Sequence, residues 1–408
     1  MDDDKSRRAF IAGAASAGAV SATGCLQRLP FVGGSSDDGG EGNETDDDTS
    51  SGTGDTNWRS FQYDDSNTGY SADATVPVRS FEVDWAFESL SAVQSSPAVA
   101  DGKVYIGSYD GNLYAIDASN GEEVWRFETG FRIAFSSPAV ADGTVYFGSD
   151  DNFFYAVDAS DGTEEWRYET GGDIWSSAAV VDGTVYFGSG GAGEDVHAVD
   201  TATGDRVWAF ESEDAVGASP AVVDETVYIG SLDSNLYALD TANGEERWRF
   251  ETEGEVLSSP TVAEVAEEDE SPTRTVFFGS SDTNVYAVDE GGNEVWRYGT
   301  RDKVVGSPAF AEGTVYVGSR DGNMYALDGD SGDEVWSGET NGEVNSSPAT
   351  ASGVVLVGSG DGYLYGLRGD NGGELWSFET GDSVDSSPAL ADGAVFFGAN
   401  DGNVYRLS

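Results

Sequence analysis

The chain has 408 residues and sets 75 Asp and Glu against 20 Lys and Arg, a formal charge of −55, with one Cys and one His. Nucleic-acid phosphates and anionic head groups repel such a polyanion, one Cys makes neither an internal disulfide nor a Cys-based zinc site, and one His excludes histidine-centred catalysis and multi-histidine metal sites. With 20 Phe, 18 Tyr and 10 Trp it is no disordered acidic tail; the composition predicts a large folded core under an acidic coat, tolerable where salt screens self-repulsion, as in a halophilic source.

Residues 1–24 read as a removable signal. Ser6-Arg7-Arg8-Ala9-Phe10-Ile11 precedes an uncharged Ala/Gly/Ser-rich stretch too short and too weakly apolar to span a bilayer. The arrangement around Arg7 and Arg8 resembles the twin-arginine export motif. Ala22-Thr23-Gly24-Cys25 resembles a lipobox, although Ala22 stands where Leu is commoner, and implies that Cys25 becomes the lipidated first residue. Residues 25–57 are Gly, Ser, Thr, Asp and Glu-rich and predict a self-repelling linker. The expected location is the outer face of the cytoplasmic membrane, reached through a lipid anchor only.

From residue 58 one text repeats. Trp85, Trp125, Trp166, Trp208, Trp248, Trp296, Trp336 and Trp376 are spaced by 40, 41, 42, 40, 48, 40 and 40 residues. Between them, Ser136 to Ser149 reads as two short strands joined at Asp142-Gly143, and Asn152–Asp158 and Glu165–Thr170 supply a third and fourth. The Ser-Pro strand recurs at Pro97, Pro138, Pro220, Pro260, Pro308, Pro348 and Pro388, with Ala179 read as the one departure. The last copy stops before its fourth strand, which stands instead at Phe81–Phe87. The fold expected is therefore all-β: an eight-bladed β-propeller of four-stranded antiparallel blades over residues 58–408, a single ring closed by an N-terminal strand.

The text Ala115-x-Asp117-x3-Gly121-x3-Trp125 recurs at Ala156/Asp158/Gly162/Trp166 and in later blades, departing at Asp289-Glu290-Gly291-Gly292-Asn293 and at Gly366-Leu367-Arg368. It resembles the tryptophan-docking motif of pyrroloquinoline quinone (PQQ)-like propellers, and Trp58-x2-Phe61-x2-Asp64-x4-Gly69-Tyr70 is similar to that family's entry segment. The eight repeated tryptophans are thereby implied to be structural docking residues. The layout is similar to the bacterial outer-membrane-assembly lipoprotein propeller, here with the coat of a halophilic archaeon. The family's dehydrogenases imply PQQ and Ca²⁺ beside a Cys-Cys pair, with Glu, Asn and an Asp base. No Cys pair exists here, and no position matches the carboxylate and amide set. The reading is thus a protein-binding scaffold with partners unnamed, no cofactor, no metal and no catalytic residue. A quinoprotein dehydrogenase is the alternative and a carbohydrate-binding propeller the second.

Where eight copies agree, the fold demands the residue; where they disagree at the channel, room is left for a ligand. The residue before each Ser-Pro strand varies: Gln94, Phe135, Trp175, Gly217, Leu257, Val305, Asn345 and Asp385. Two places earlier stand Ala92, Ile133, Asp173, Ala215, Glu255, Lys303, Glu343 and Ser383. Candidate ligand-binding residues are Phe135 and Trp175, with Arg132 close by, and Gln94, Asn345 and Asp385; the aromatic pair suits stacking on a ring, while plugging the channel is the plainer role. His197 stands where other blades have Tyr and reads as a packed strand residue. The acidic stretch Ala263 to Arg274 reads as a solvated loop, and the Asp-Gly-Asn turns as hairpin chemistry rather than calcium sites.

Overall fold

The computed structural model describes residues 57–76, 81–191, 193–265 and 272–408; Arg7, Arg8 and Cys25 lie outside them. Hairpin chemistry builds each blade. After β1 (Val83–Glu88), the first blade opens with β2 (Ala98–Ala100) and β3 (Lys103–Gly107), which meet at Asp101 and Gly102 with φ of 50° and 73°. Both central residues must be left-handed there, which Asp tolerates and Gly adopts freely. β4 (Asn112–Asp117) and β5 (Glu123–Glu128) complete a sheet in the order β2-β3-β4-β5. The turn between them is held by Asp117, whose Oδ1 accepts from Ser119 N at 2.9 Å and Ser119 Oγ at 2.6 Å.

The register slips once in β5: Ala115 opposes Trp125 while Ile116 opposes Glu123. Val124 is the extra residue of this bulge and faces solvent, as do Val207, Val295 and Val335 at the same place. The bulge turns the following Trp inward. Trp85 Nε1 donates to Ala118 O at 3.0 Å, and a Cβ on Gly121 would lie 2.8 Å from Trp85 Cδ2. That Gly, at φ 75°, supplies both the turn and the flat seat for the neighbouring blade's indole. The same bond runs from Trp125 to Ala159, Trp166 to Thr201, Trp208 to Thr241, Trp248 to Glu290, Trp296 to Gly329 and Trp336 to Gly369. Phe81 packs on Trp376, ring centroids 5.1 Å apart.

Eight four-stranded sheets result, and the eighth is ordered β1, Asn403–Leu407, Ala394–Gly398, Ala389–Ala391. The N-terminal strand therefore supplies the outer strand of the last blade. Inside, the second serine of each Ser-Ser-Pro text links blade to blade. Ser96 N donates to Ser137 Oγ, Ser137 N to Ser177 Oγ, Ser177 N to Ser219 Oγ, and so on through Ser259, Ser307 and Ser347 to Ser387, whose N–H returns to Ser96 Oγ. These bonds measure 2.8–3.0 Å and form a closed circle. A hydroxyl is the smallest side chain that accepts an inner-strand N–H at this spacing, which explains the repeated Ser. Aligned on this circle, the residue in the proline place of the third blade is Ala178, one before Ala179, because Ser177 is its ring serine.

The segment 57–71 closes one end of the channel. Trp58 exchanges backbone hydrogen bonds with Val99, and Arg59, Asp65, Ser66, Thr68 and Gly69 accept from the inner strands of blades 2, 4, 5, 6 and 7. Asn67, at φ 54°, sends its amide to Pro220 O and Pro260 O, both at 3.1 Å. The innermost strand edges are thus capped by the chain's own backbone.

The acidic stretch is shorter than a loop: Thr261–Val265 and Thr273–Gly279 pair as strands through Val265 and Thr273, so Ala263, Glu264 and Arg274 belong to a lengthened hairpin. Residues 266–271 lie outside the described residues. Blade 3 departs most. In seven blades a strand Tyr donates to an Asp four residues earlier, as Tyr114 to Asp110 at 2.7 Å. In blade 3 the Tyr is His197, buried and bonded to Ser189 Oγ at 2.9 Å, and burial lowers its pKa to about 4.

Beside His197, Asp195 is 1% exposed and, among the described residues, accepts only from Ser212 N and Oγ at 3.2 Å and leaves Oδ1 without a partner. Burial pushes its carboxyl up to about 7, with Glu211 and Asp214 adding to the rise. A raised carboxylate stabilises the fold fully below the unfolded value near 4 and loses that contribution as pH rises to about 7. Asp195→Asn should therefore melt higher than the parent above pH 7, the difference vanishing toward pH 4 in thermal scans at constant salt.

Candidate functional site

The inner strands run from the mouth toward the segment 57–71, so Gln94 and its equivalents rim the opposite end. Two features of the local fold set their places. The strand before each rim residue is locked by a backbone bond, Tyr109 N to Ala92 O at 3.0 Å in blade 1 and Asp150 N to Arg132 O at 3.0 Å in blade 2. Arg132, not Ile133, is therefore the equivalent of Ala92, and Ile133 packs under Gly107 as the rim valines do in other blades. Blade 2 carries one extra residue, so Ala134 and Phe135 fill the place of a single residue elsewhere; counting back from the serine could not reveal which was added.

Arg132 accordingly belongs to the rim. Its Nε donates to Asp150 Oδ2 at 2.5 Å, and its guanidinium lies over the Tyr109 ring at 5.0 Å. Asp150 is buried, with Oδ1 lacking a partner, and burial pushes its carboxyl up to about 6 against the opposing pull of Arg132 and a hydrogen bond with Trp175. Burial also raises the Tyr109 phenol to about 12. Tyr109 OH donates to Gln94 Oε1, and Gln94 Nε2 to Asp385 Oδ2 at 3.3 Å.

Asp385 is the centre of the polar arc. It also accepts from Asn345 Nδ2 at 3.3 Å and Asn400 Nδ2 at 2.8 Å, while Arg320 Nε donates to Asn345 Oδ1 at 2.9 Å. Gln94, Asn345 and Asp385 are thus brought into one network across blades 7, 8 and 1. Trp175 lies in the other arc: a Cβ on Gly217 would meet Trp175 Cε3 and Leu257 Cδ2, each at 3.4 Å, and Leu232 at 3.7 Å. Phe135 and Trp175 stand in adjacent blades, both partly exposed. The mouth is therefore amphipathic, an apolar crescent from blade 2 to blade 6 facing a carboxylate–amide arc.

A second ring of contributors, Tyr109, Asp150, Arg320 and Asn400, was not among the sequence candidates. Its signal was present. Between the Gly-Ser pair and the turn Asp, the eight copies read Tyr109, Asp150, Gly190, Leu232, Ser281, Arg320, Gly360 and Asn400, a varied place between nearly constant neighbours.

A quinone with calcium would need a different donor set. Calcium takes 6–8 oxygens, several from carboxylates, whereas the oxygens of Asp385 face three amide N–H groups and the neighbouring carboxylates Glu343 and Asp150 are paired with Arg320 and Arg132. Among the described residues no group of three or more His, Cys, Asp or Glu is gathered as a metal site. These residues do not fit that pair.

A family model described as the beta-propeller of beta-alanine-activating enzyme matches residues 73–314, and one described as outer membrane protein assembly factor BamB matches residues 281–408. No curated protein compared with the chain matches it. Among solved structures, quinohemoprotein alcohol dehydrogenase from Comamonas testosteroni superposes with a TM-score of 0.76 at 17% identity, covering 86% of this chain and 80% of that one. Europium-containing methanol dehydrogenase gives 0.77 at 14% identity, covering 87% and 98%. BamB from Moraxella catarrhalis gives 0.67 at 18% identity, covering 81% and 98%. At these identities the likeness is one of fold.

Proposed function

From the premise that the chain belongs to the β-propeller family of the beta-alanine-activating enzyme and is PQQ-like in fold, we propose that it is an exported, lipid-anchored scaffold that binds partner proteins at the outer face of the cytoplasmic membrane. One observation carries the binding role: around a mouth whose scaffold positions repeat eight times, the rim positions differ blade by blade and assemble an amphipathic surface. The opposite end is capped by residues 57–71, and Asn57 lies there beside Asp101. The match of residues 281–408 to an assembly factor supports the same role. The anchor rests on Arg7, Arg8 and Cys25, and the single ring acts as a monomer without a cofactor.

Two variants test the parts separately. Cys25→Ser should move the protein from the membrane to the soluble fraction, and continued membrane association would remove the anchor. Phe135→Ala/Trp175→Ala should keep the parent's circular dichroism and lose partners recovered from membranes at native salt, about tenfold by quantitative mass spectrometry. Undiminished recovery would end the role of the mouth. Concentration-dependent quenching of Trp175 fluorescence by glycans, absent in the double variant, would instead favour carbohydrate binding.

A further inference from the structure

The mouth face carries two large apolar side chains set out in water: Leu90 is 83% exposed and Phe131 58% exposed. They flank one turn. Leu90 N donates to Asp110 Oδ2 at 3.0 Å, and Thr129 Oγ1 bridges Gly111 O at 2.8 Å and Phe131 O at 2.5 Å. Neither sits on a loose loop. Ser89 N donates to Gly402 O at 2.8 Å and Ser89 Oγ to Ser91 O at 2.6 Å, while Gly130 N donates to Asp151 Oδ2 at 2.6 Å. Both side chains are held out by backbones fixed on either side, so their exposure costs a partner little ordering entropy.

The other inter-blade loops show that the fold does not ask for this. At the two corresponding places they hold Gly, Asn, Arg or an acid, as in Glu213-Asp214 and Gly381-Asp382. An apolar pair confined to one sector of an eight-fold scaffold is therefore an addition to it. Beneath Phe131 the Arg132 guanidinium lies 5.7 Å from the ring centroid and is countered by Asp150. Aromatic, leucine and arginine together on a rigid surface form the kind of centre on which protein interfaces concentrate their energy.

Charge selects the occupant. Residues 1–24 balance three acids with three bases and residues 25–57 hold one Arg against eight acids, which leaves −48 on the ring. Glu88 and Glu128, at the ends of the strands leading into the two loops, are exposed beside the patch. A second copy of this chain brings the same negative charge and is repelled, as is any acidic surface. We infer that Leu90 and Phe131 form a docking site for a segment of another protein that presents an apolar side chain flanked by Lys or Arg. This deepens the scaffold reading and rests on it.

The test uses the full chain in its own membranes, with the photo-crosslinker p-benzoylphenylalanine in place of Leu90, Phe131, Glu213 or Gly381, one at a time. Adducts from the first two positions, mapping by mass spectrometry to a segment with an apolar residue between basic ones, are expected. Phe131→Ser should lower the adduct yield from position 90 about tenfold without shifting the melting temperature, since the ring is exposed. Adducts from positions 213 or 381 but not from 90 and 131 would overturn the patch while the scaffold reading stands. Adducts to a second copy of the chain, or to an acidic segment, would overturn the assigned partner chemistry. No adduct at any of the four positions would overturn both readings.

Discussion

Removing residues 81–89 should leave a protein without a cooperative thermal transition, or with one lowered by on the order of 20 °C. Among the described residues the strand supplies the only backbone pairing on the outer side of Asn403–Leu407. With it go the Trp85 bond to Ala118 O and its seat on Gly121, the Phe81 contact with Trp376, and Phe87 against Tyr114 at 5.1 Å. The ion pair of Asp84 with Arg406 goes too. Three aromatic side chains burying roughly 150–250 Å² each amount to about 11–19 kcal/mol at about 25 cal/mol per Å², an upper estimate. That is comparable with the whole stability of an ordinary domain, about 5–15 kcal/mol. The truncated ring also exposes the outer edge of Asn403–Leu407, so association at rising protein concentration should accompany the loss. Circular dichroism melts in concentrated salt measure it; an unchanged transition would show that the latch is dispensable.

The second large effect is expected from salt. A ring carrying −48 repels itself, and its cations do little to relieve this. Arg126–Glu123 at 2.7 Å, Arg249–Glu246 at 3.0 Å and Arg297–Glu294 at 3.2 Å are local pairs on exposed outer strands, a class that contributes about 0–1 kcal/mol each. Raising ionic strength from about 0.1 M to 1 M shortens the screening length from about 10 Å to about 3 Å, below the spacing of most surface acids. Moving from multimolar KCl to about 0.1 M should lower the melting temperature by on the order of 20 °C. Sucrose at matched osmolality, which strengthens burial without screening charge, should restore only a small part. A melting temperature independent of KCl would remove the proposal of a halophilic setting.

Blade count, antiparallel order, the latch and the indole seats are legible in the residues alone. Each rests on a residue type that the local backbone requires wherever it recurs: Asp-Gly for left-handed hairpin turns, Gly121 under Trp85, Ser-Ser-Pro before each inner strand. Such demands are local and repeat eight times, so they can be read by comparing copies. Tertiary structure decided the rest. The ring serines lie about one repeat apart in the chain, and the last bond joins Ser387 to Ser96 across 291 residues; no single copy shows that its serine serves the next blade. The extra residue at Ala134-Phe135 moved Arg132 into the rim, because register is set by the bond from Asp150 N to Arg132 O and not by counting from the serine. Asp385 gathers amides from three other residues only because blades 7, 8 and 1 converge at the mouth. Whether Leu90 and Phe131 are buried or offered to a partner was likewise invisible in the text, since exposure follows from what the neighbouring blade does or does not cover. Local conformational requirements are written into each repeat; convergence between repeats exists only once the ring has closed.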